Sequence, residues 1–259
     1  MARSIDALHE HAGAPPYSLL KELGTMTHRF TLPVGALGAL ASFALIAGCS
    51  SDATNPSEIA NVRIVNASAS TGPITATNEN RTVQAGVAFQ TPTGAGGCGT
   101  MEQGNDEQLN FTLTSTNAGL ASTKQNVTAK QNYTAVFFGP NNVGFFQESF
   151  STPASGNNSI RFINATGSAG DIYLSTPGAI LPGTSPTVSN LAAGQASSAA
   201  QFSNGRTEIR MFSVGQNTGV PRVDFTIAGL PNNTGTIVLT TPPAGQSSPT
   251  AFVVGSCAH

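Results

Sequence analysis

Charged side chains make up only 9% of this 259-residue chain, and 13 Asp and Glu nearly cancel 11 Lys and Arg. A typical soluble domain carries about a quarter charged residues. No run of Lys or Arg occurs, so the electrostatic footprint of a nucleic-acid binder is missing, and anionic lipid surfaces are disfavoured by the same argument. Tryptophan is absent and tyrosine occurs three times, which removes the side chains that sugar-binding faces usually exploit. Of the four histidines, His9, His11 and His28 lie near the start and His259 ends the chain. Downstream of residue 28 only His259 remains, so a Ser-His-Asp triad, His-based acid–base catalysis or a zinc site with several imidazoles is not expected. What remains is rich in Asn, Thr, Ser and Gly. Short polar side chains solvate turns and strand faces without charge, and Thr suits a pleated, half-buried surface.

The segment Leu45-Ile46-Ala47-Gly48-Cys49-Ser50 follows an apolar stretch, Leu32 to Ile46, that is itself preceded by His28 and Arg29. A basic end, an apolar region of about 7 to 15 residues and small residues at a cut make a secretory signal. The run is shorter than the ~20 apolar residues that span a bilayer and carries Pro33, Gly35 and Gly38. With Ile46 three before the cysteine, the segment resembles a bacterial lipobox. The resemblance implies cleavage after Gly48 and a diacylglycerol on the Cys49 sulfur, attaching the protein to the membrane. Ser50 in place of Asp implies, by the same resemblance, the outer membrane, facing the periplasm or the cell surface. Residues 1–25 fit no signal, because Asp6, Glu10 and Glu22 put acid where a basic region belongs. Translation is expected to begin at Met26, leaving 26–48 as the signal and 49–59 as a lipidated tether.

With Cys49 taken by lipid, Cys98 and Cys257 remain. In an oxidising envelope an even remainder is expected to pair as a disulfide, against the alternative of two free thiols. Disorder is not expected beyond the tether: 39% of the chain is apolar, and its apolar residues come in strand-sized clusters.

Asn61-Val62-Arg63-Ile64-Val65-Asn66-Ala67-Ser68 and Ser159-Ile160-Arg161-Phe162-Ile163-Asn164-Ala165-Thr166 are two versions of one pattern, a strand running into a turn. Further along, Leu109 to Leu113 aligns with Glu208 to Phe212, and Tyr133 to Phe138 aligns with Gly235 to Thr240. Each repeat holds about six to eight clusters separated by Gly, Pro, Asn and Ser, the spacing of sandwiches rather than βαβ units. Gly139-Pro140-Asn141-Asn142 reads as a hairpin connection. Leu191 to Ala200 reads as a short helix or as a loop and strand. The fold expected is all-β: two tandem Ig-like, Greek-key β-sandwiches over 60–152 and 158–259, after a cleaved lipoprotein signal. The short linker around Pro153 implies that the two touch.

The repeated opening strand, with Pro73 after the first copy and Asp171-Ile172-Tyr173-Leu174 after the second, resembles the bacterial family called domain of unknown function 4397. Its members are similar in being envelope lipoproteins or secreted chains with tandem β-domains. This chain departs from the family's pattern at Asn66 and Asn164, where His is frequent, and at Thr75, where the second repeat keeps Asp171. The resemblance spans most of the chain after Cys49 and carries no chemistry.

Several residues invite a functional reading beside a structural one. Glu102, Asp106 and Glu107 offer calcium-type oxygen ligands, but their spacing matches no calcium loop and an exposed polar loop is the expectation. Asn66, Asn110, Asn126, Asn132 and Asn164 sit in Asn-x-Ser/Thr triplets, read here as a product of composition. Arg63 and Arg161 hold equivalent places and suit an anionic ligand; the favoured reading is that each spans a strand face and meets a carboxylate or carbonyl. Phe137, Phe138, Phe145 and Phe146, with Tyr133 and Phe150, would form a sugar platform or, as favoured, split between the core and the neighbouring domain. No catalytic residue, cofactor or metal site is assigned. The sequence points to a non-enzymatic, lipid-anchored envelope protein acting as a structural or protein-interaction module, with a glycan- or surface-polymer-binding or adhesion module as the alternative.

Overall fold

The computed structural model describes residues 58–91, 97–230, 233–240 and 250–257, so Gly48 and Cys49 lie outside the described residues. Ser51–His259 forms a compact unit of its own. The described part is all-β. Eight strands build a first sandwich: β1 (Ile59–Asn66), β2 (Ile74–Asn78), β3 (Arg81–Val87), β4 (Gly99–Glu102), β5 (Gly104–Leu113), β6 (Gly119–Val127), β7 (Asn132–Gly139) and β8 (Asn142–Gln147). Eight more build a second: β9 (Asn157–Ala165), β10 (Gly170–Ser175), β11 (Val188–Leu191), β12 (Ala200–Ser203), β13 (Thr207–Ser213), β14 (Val223–Ile227), β15 (Thr234–Thr240) and β16 (Thr250–Gly255).

The two sandwiches share one plan. The first packs sheet β4-β1-β7-β8 on sheet β3-β2-β5-β6, and the second packs β12-β9-β15-β16 on β11-β10-β13-β14. In both, the first strand runs parallel to the seventh, with Arg63 opposite Thr134 and Arg161 opposite Thr236. That register agrees with the alignment of Tyr133–Phe138 to Gly235–Thr240. The alignment of Leu109–Leu113 is corrected by one residue. Ala76 faces Phe111 as Ile172 faces Met211, and Leu109, Phe111, Ile209 and Met211 are all in the core, so Leu109 corresponds to Ile209. A one-residue slip would have turned every side chain to the wrong face. Residues 191–200 form a strand end, a loop and the start of β12, with no helix.

Period-two alternation explains the layering. In β1, Val62 and Ile64 enter the first core while Val65 points the other way; in β9, Ile160 and Phe162 enter the second core while Ile163 points away. The side chains that point away meet one another. Val65, Ala67, Val136, Ile163, Val238, Phe252 and Val254 make a third apolar cluster joining sheet β4-β1-β7-β8 to sheet β12-β9-β15-β16. The described part of the 51–259 unit is thus four sheets deep, and its two inner sheets are buried on both faces. Each aliphatic side chain fully buried there contributes about 1.5–3 kcal/mol.

The phenylalanines divide as period two requires. Phe137 and Phe145 belong to the first core, and Phe138 and Phe146 pack in the seam between sandwiches. Gly144 makes room for them, since a Cβ there would stand 2.5 Å from the Phe146 ring and 2.8 Å from the Phe138 ring. The β7–β8 connection turns through Pro140 and Asn141, with Asn141 in the left-handed region at φ 60, a conformation Asn tolerates better than most residues. A disulfide between Cys98 and Cys257 closes the seam at the edge strand β4 and the end of β16.

Candidate functional site

Burial of the inner sheets on both faces leaves Arg63 and Arg161 inside the seam, 2% and 5% exposed. Each reaches across to the other sandwich. Arg63 Nη2 donates to the Ser256 carbonyl (3.2 Å), just past β16, and Arg161 Nη1 donates to the Gln147 carbonyl (2.6 Å), at the end of β8. The two contacts are reciprocal to within one residue, since Gln147 corresponds to Gly255, close to what two copies of one unit packed about a local two-fold axis give. Arg161 Nη2 also donates to Thr236 Oγ1 (3.3 Å), and its guanidinium lies 5.7 Å from the centre of the Phe150 ring, within cation–π range. The carbonyl contacts match the structural role expected of these arginines.

The two repeats part company at Glu148, whose counterpart after β16 is Ser256. Thr134 Oγ1 donates to Glu148 Oε1 at 2.6 Å, while Oε2 is buried with no partner. Burial lowers the pKa of both arginines, and the Glu148 carboxylate acts on both in the opposite direction. One carboxylate therefore faces two guanidinium groups. Arg161 Nε is buried without an acceptor. A buried charge is costly unless it is paired and hydrogen-bonded, which is why each guanidinium reaches a carbonyl of the other sandwich and lies near the Glu148 carboxylate.

Beside Arg161 the seam opens into a cleft of about 400 Å³, within the size range of small-molecule sites. The first sandwich supplies Phe145, Phe146, Gln147 and Ser149; Arg161 and residues 196–199 come from the second. Its lining residues thus include two phenylalanines, several serines and the largely buried Arg161. Sequence reading found Arg161 and the phenylalanines separately. It missed Glu148, Ser149 and Ser198, because nothing local marks a residue as facing a seam.

The remaining candidates are structural. Asn66 Nδ2 donates to the carbonyls of Gly72 and Val87, and its Oδ1 accepts from Ser68 N. Asn164 repeats this with Ser168, Leu191 and Thr166. Each Asn closes its own turn and ties it to a neighbouring strand, which gives the recurring Asn-Ala-Ser/Thr a mechanism. Asp171 accepts from the backbone N–H groups of Asn190 (2.6 Å) and Gly215 (2.7 Å), holding two loops. The acids near Cys98 do not converge: Glu102 pairs with Arg81, and Glu107 accepts from Asn78. Among the described residues no group of three or more His, Cys, Asp or Glu is placed to hold a metal ion. Nor do they contain any histidine.

The sequence model described as Domain of unknown function (DUF4397) matches this chain. The match covers residues 60–175. It takes in the first sandwich and the first two strands of the second, a smaller share than the resemblance implied, and the second sandwich repeats the same plan beyond it. No curated protein matches the chain. Among solved structures, CBMbc (family CBM26) from Eubacterium rectale, crystallised with maltoheptaose, is similar at 11% identity and a TM-score of 0.23. That likeness covers 75% of this chain and 95% of that one; at such a score it transfers neither fold detail nor ligand.

Proposed function

We propose that this chain is a non-catalytic binding module of the bacterial cell envelope, held by a lipid on Cys49 after removal of the segment ending at Gly48, and that its partner is a glycan or related surface polymer. The observation that carries the binding reading is the cleft between the sandwiches. It is lined by Gln147, Ser149 and Ser198 with Phe146 and Arg161 behind them, on a cross-linked pair of sandwiches, and a preorganised concavity with a few polar groups is what small-ligand recognition requires. Two face-packed sheets per repeat support reading each sandwich as Ig-like. A structural or protein-interaction scaffold is the second reading, favoured by the buried seam and the disulfide that lock the sandwiches together.

Two measurements test the proposal. Cys49→Ser is expected to move the protein from the membrane to the soluble fraction, and unchanged fractionation would remove the lipid anchor. A glycan array probed with the compact 51–259 unit is expected to show saccharide binding. An array without hits would leave the scaffold reading and defeat the binding one. Protease treatment of intact cells then separates the cell surface, where the sandwiches are cut, from the periplasm, where they are protected.

A further inference from the structure

We infer that the second sandwich holds a separate site, open at one end of its core, for a small monocarboxylate with an apolar body: Arg206 takes the carboxylate, and Leu174 and Phe202 meet the apolar part. No residue lines both this site and the seam cleft, and its ligand does not depend on what that cleft binds. Between the ends of β10 and β12 lies a cavity of about 360 Å³, within the size range of small-molecule sites. The two strands belong to opposite sheets, so the cavity is a gap between the layers. Period two settles which side chains border it. Leu174 follows Ile172 at the core-facing positions of β10, and Phe202 follows Ala200 on β12; both are half-buried and pack on the second core. Beyond them the lining turns polar, with Thr176, Ser203, Asn204 and Arg206 all exposed. Among the described residues Arg206 makes no hydrogen bond or ion pair.

The first sandwich has the same corner closed. There Ile59 faces Glu102 as Asn157 faces Ser203, so Glu102 and Ser203 are counterparts. Glu102 pairs with Arg81 at the start of β3, and β3 lies so near β4 that a Cβ on Gly99 would stand 2.0 Å from the Val83 carbonyl oxygen. In the second sandwich β11 takes the place of β3 but pairs with β10 only over Gly170–Ile172. The chain before it carries Leu181 onto Tyr173 and Phe212, on the face of the sheet turned away from the core. The covering strand and its ion pair are therefore both missing at this corner. A β12–β13 loop of residues 204–206 replaces the single Gln103 between β4 and β5 and brings Arg206 to the opening. Among the described residues that line the cavity, Arg206 is the sole charged one, which matches one negative charge rather than two. An acid without an apolar body leaves Leu174 and Phe202 untouched, and a neutral apolar molecule leaves Arg206 in water. A monocarboxylate with a ring or short chain uses both.

Phenylacetate titrated into the compact 51–259 unit, followed by NMR, is expected to shift Thr176, Phe202 and Asn204. It should bind at least about threefold more tightly than the isosteric neutral phenylacetamide, the scale of one exposed ion pair. Acetate should bind at least about tenfold more weakly than phenylacetate, because it buries no apolar surface. Arg206→Gln is expected to remove the preference for phenylacetate while leaving phenylacetamide binding unchanged. Ser203→Glu gives this corner the carboxylate that Glu102 supplies in the first sandwich, and it is expected to remove the same preference; Ser203 is exposed, so the urea midpoint should not move. A preference for phenylacetate below about threefold, or one that survives Arg206→Gln, would overturn the site. So would acetate binding as tightly as phenylacetate, or shifts that leave residues 174–176 and 202–207 unmoved.

Discussion

Replacing both Cys98 and Cys257 with serine removes a cross-link between positions 159 residues apart. In the chain-entropy account, closing a loop of that length costs the unfolded chain about 17 cal/mol/K, or about 5 kcal/mol at room temperature. The native state is expected to change little. The segment carrying Cys257 is held independently by Asn132 Nδ2, which donates to the Cys257 carbonyl (3.0 Å), and by Arg63 on the Ser256 carbonyl. Phe252 and Val254 anchor the preceding strand β16 in the seam. Most of the effect therefore lies in the unfolded ensemble, which expands once the link is gone. Urea unfolding of the compact 51–259 unit, oxidised and double-serine, is expected to show a lower midpoint together with a steeper slope, since the slope follows the surface exposed on unfolding. At about 2–4 °C per kcal/mol for a chain of this size, the full entropic term corresponds to a fall in Tm of about 10–20 °C. A loss below about 1 kcal/mol with an unchanged slope would refute the reasoning. So would thiol labelling of both cysteines in the unreduced native protein.

Two further perturbations follow from the hydrogen-bond geometry and from one carboxyl whose pKa is raised. Asn164→Ala strips donors from the carbonyls of Ser168 and Leu191 and an acceptor from Thr166 N; the expected destabilisation is about 2–4 kcal/mol, and a loss under about 0.5 kcal/mol in urea unfolding would contradict the locking role. Burial and then the neighbouring Glu208 push the Asp224 carboxyl above its ordinary pKa, with Arg210 opposing. A raised carboxylate pKa means that the folded protein keeps a proton over a pH window in which the unfolded chain has lost it, so stability falls as pH rises through that window. Asp224→Asn is expected to raise Tm at pH 7, by an amount that shrinks toward zero below about pH 4; an equal gain at both pH values would exclude this cause.

Much of the architecture is legible in the residues because local rules govern it. Alternation in Val62 to Val65 and Ile160 to Ile163 marks strands, Pro140-Asn141 marks a hairpin, and the recurring Asn-Ala-Ser/Thr marks the turn that Asn66 and Asn164 close. Equally local is the shortage of histidine and of clustered charge, which limits the available chemistry before any strand is placed. The one-residue error in matching Leu109 to Glu208 shows where such reading gives out. Short polar and apolar residues fit either register, and only the paired strand decides which face each side chain takes.

The candidate site was less legible, because it depends on which sheet faces which. Arg63 and Arg161 look like the outward polar positions of alternating strands, and in an isolated sandwich each would meet water. Two sandwiches stacked through their inner sheets bury both, bring Glu148 between them and open a cleft beside Arg161. Period and composition are properties of neighbouring residues, and they determined that this chain makes two repeated β-sandwiches with almost no titratable chemistry. Which outward face becomes an interior is settled by contacts such as those of Val65 and Val136 with Ile163 and Val238, far apart in the chain, and that stacking turned two ordinary strand arginines into buried charges, one of them beside a cleft.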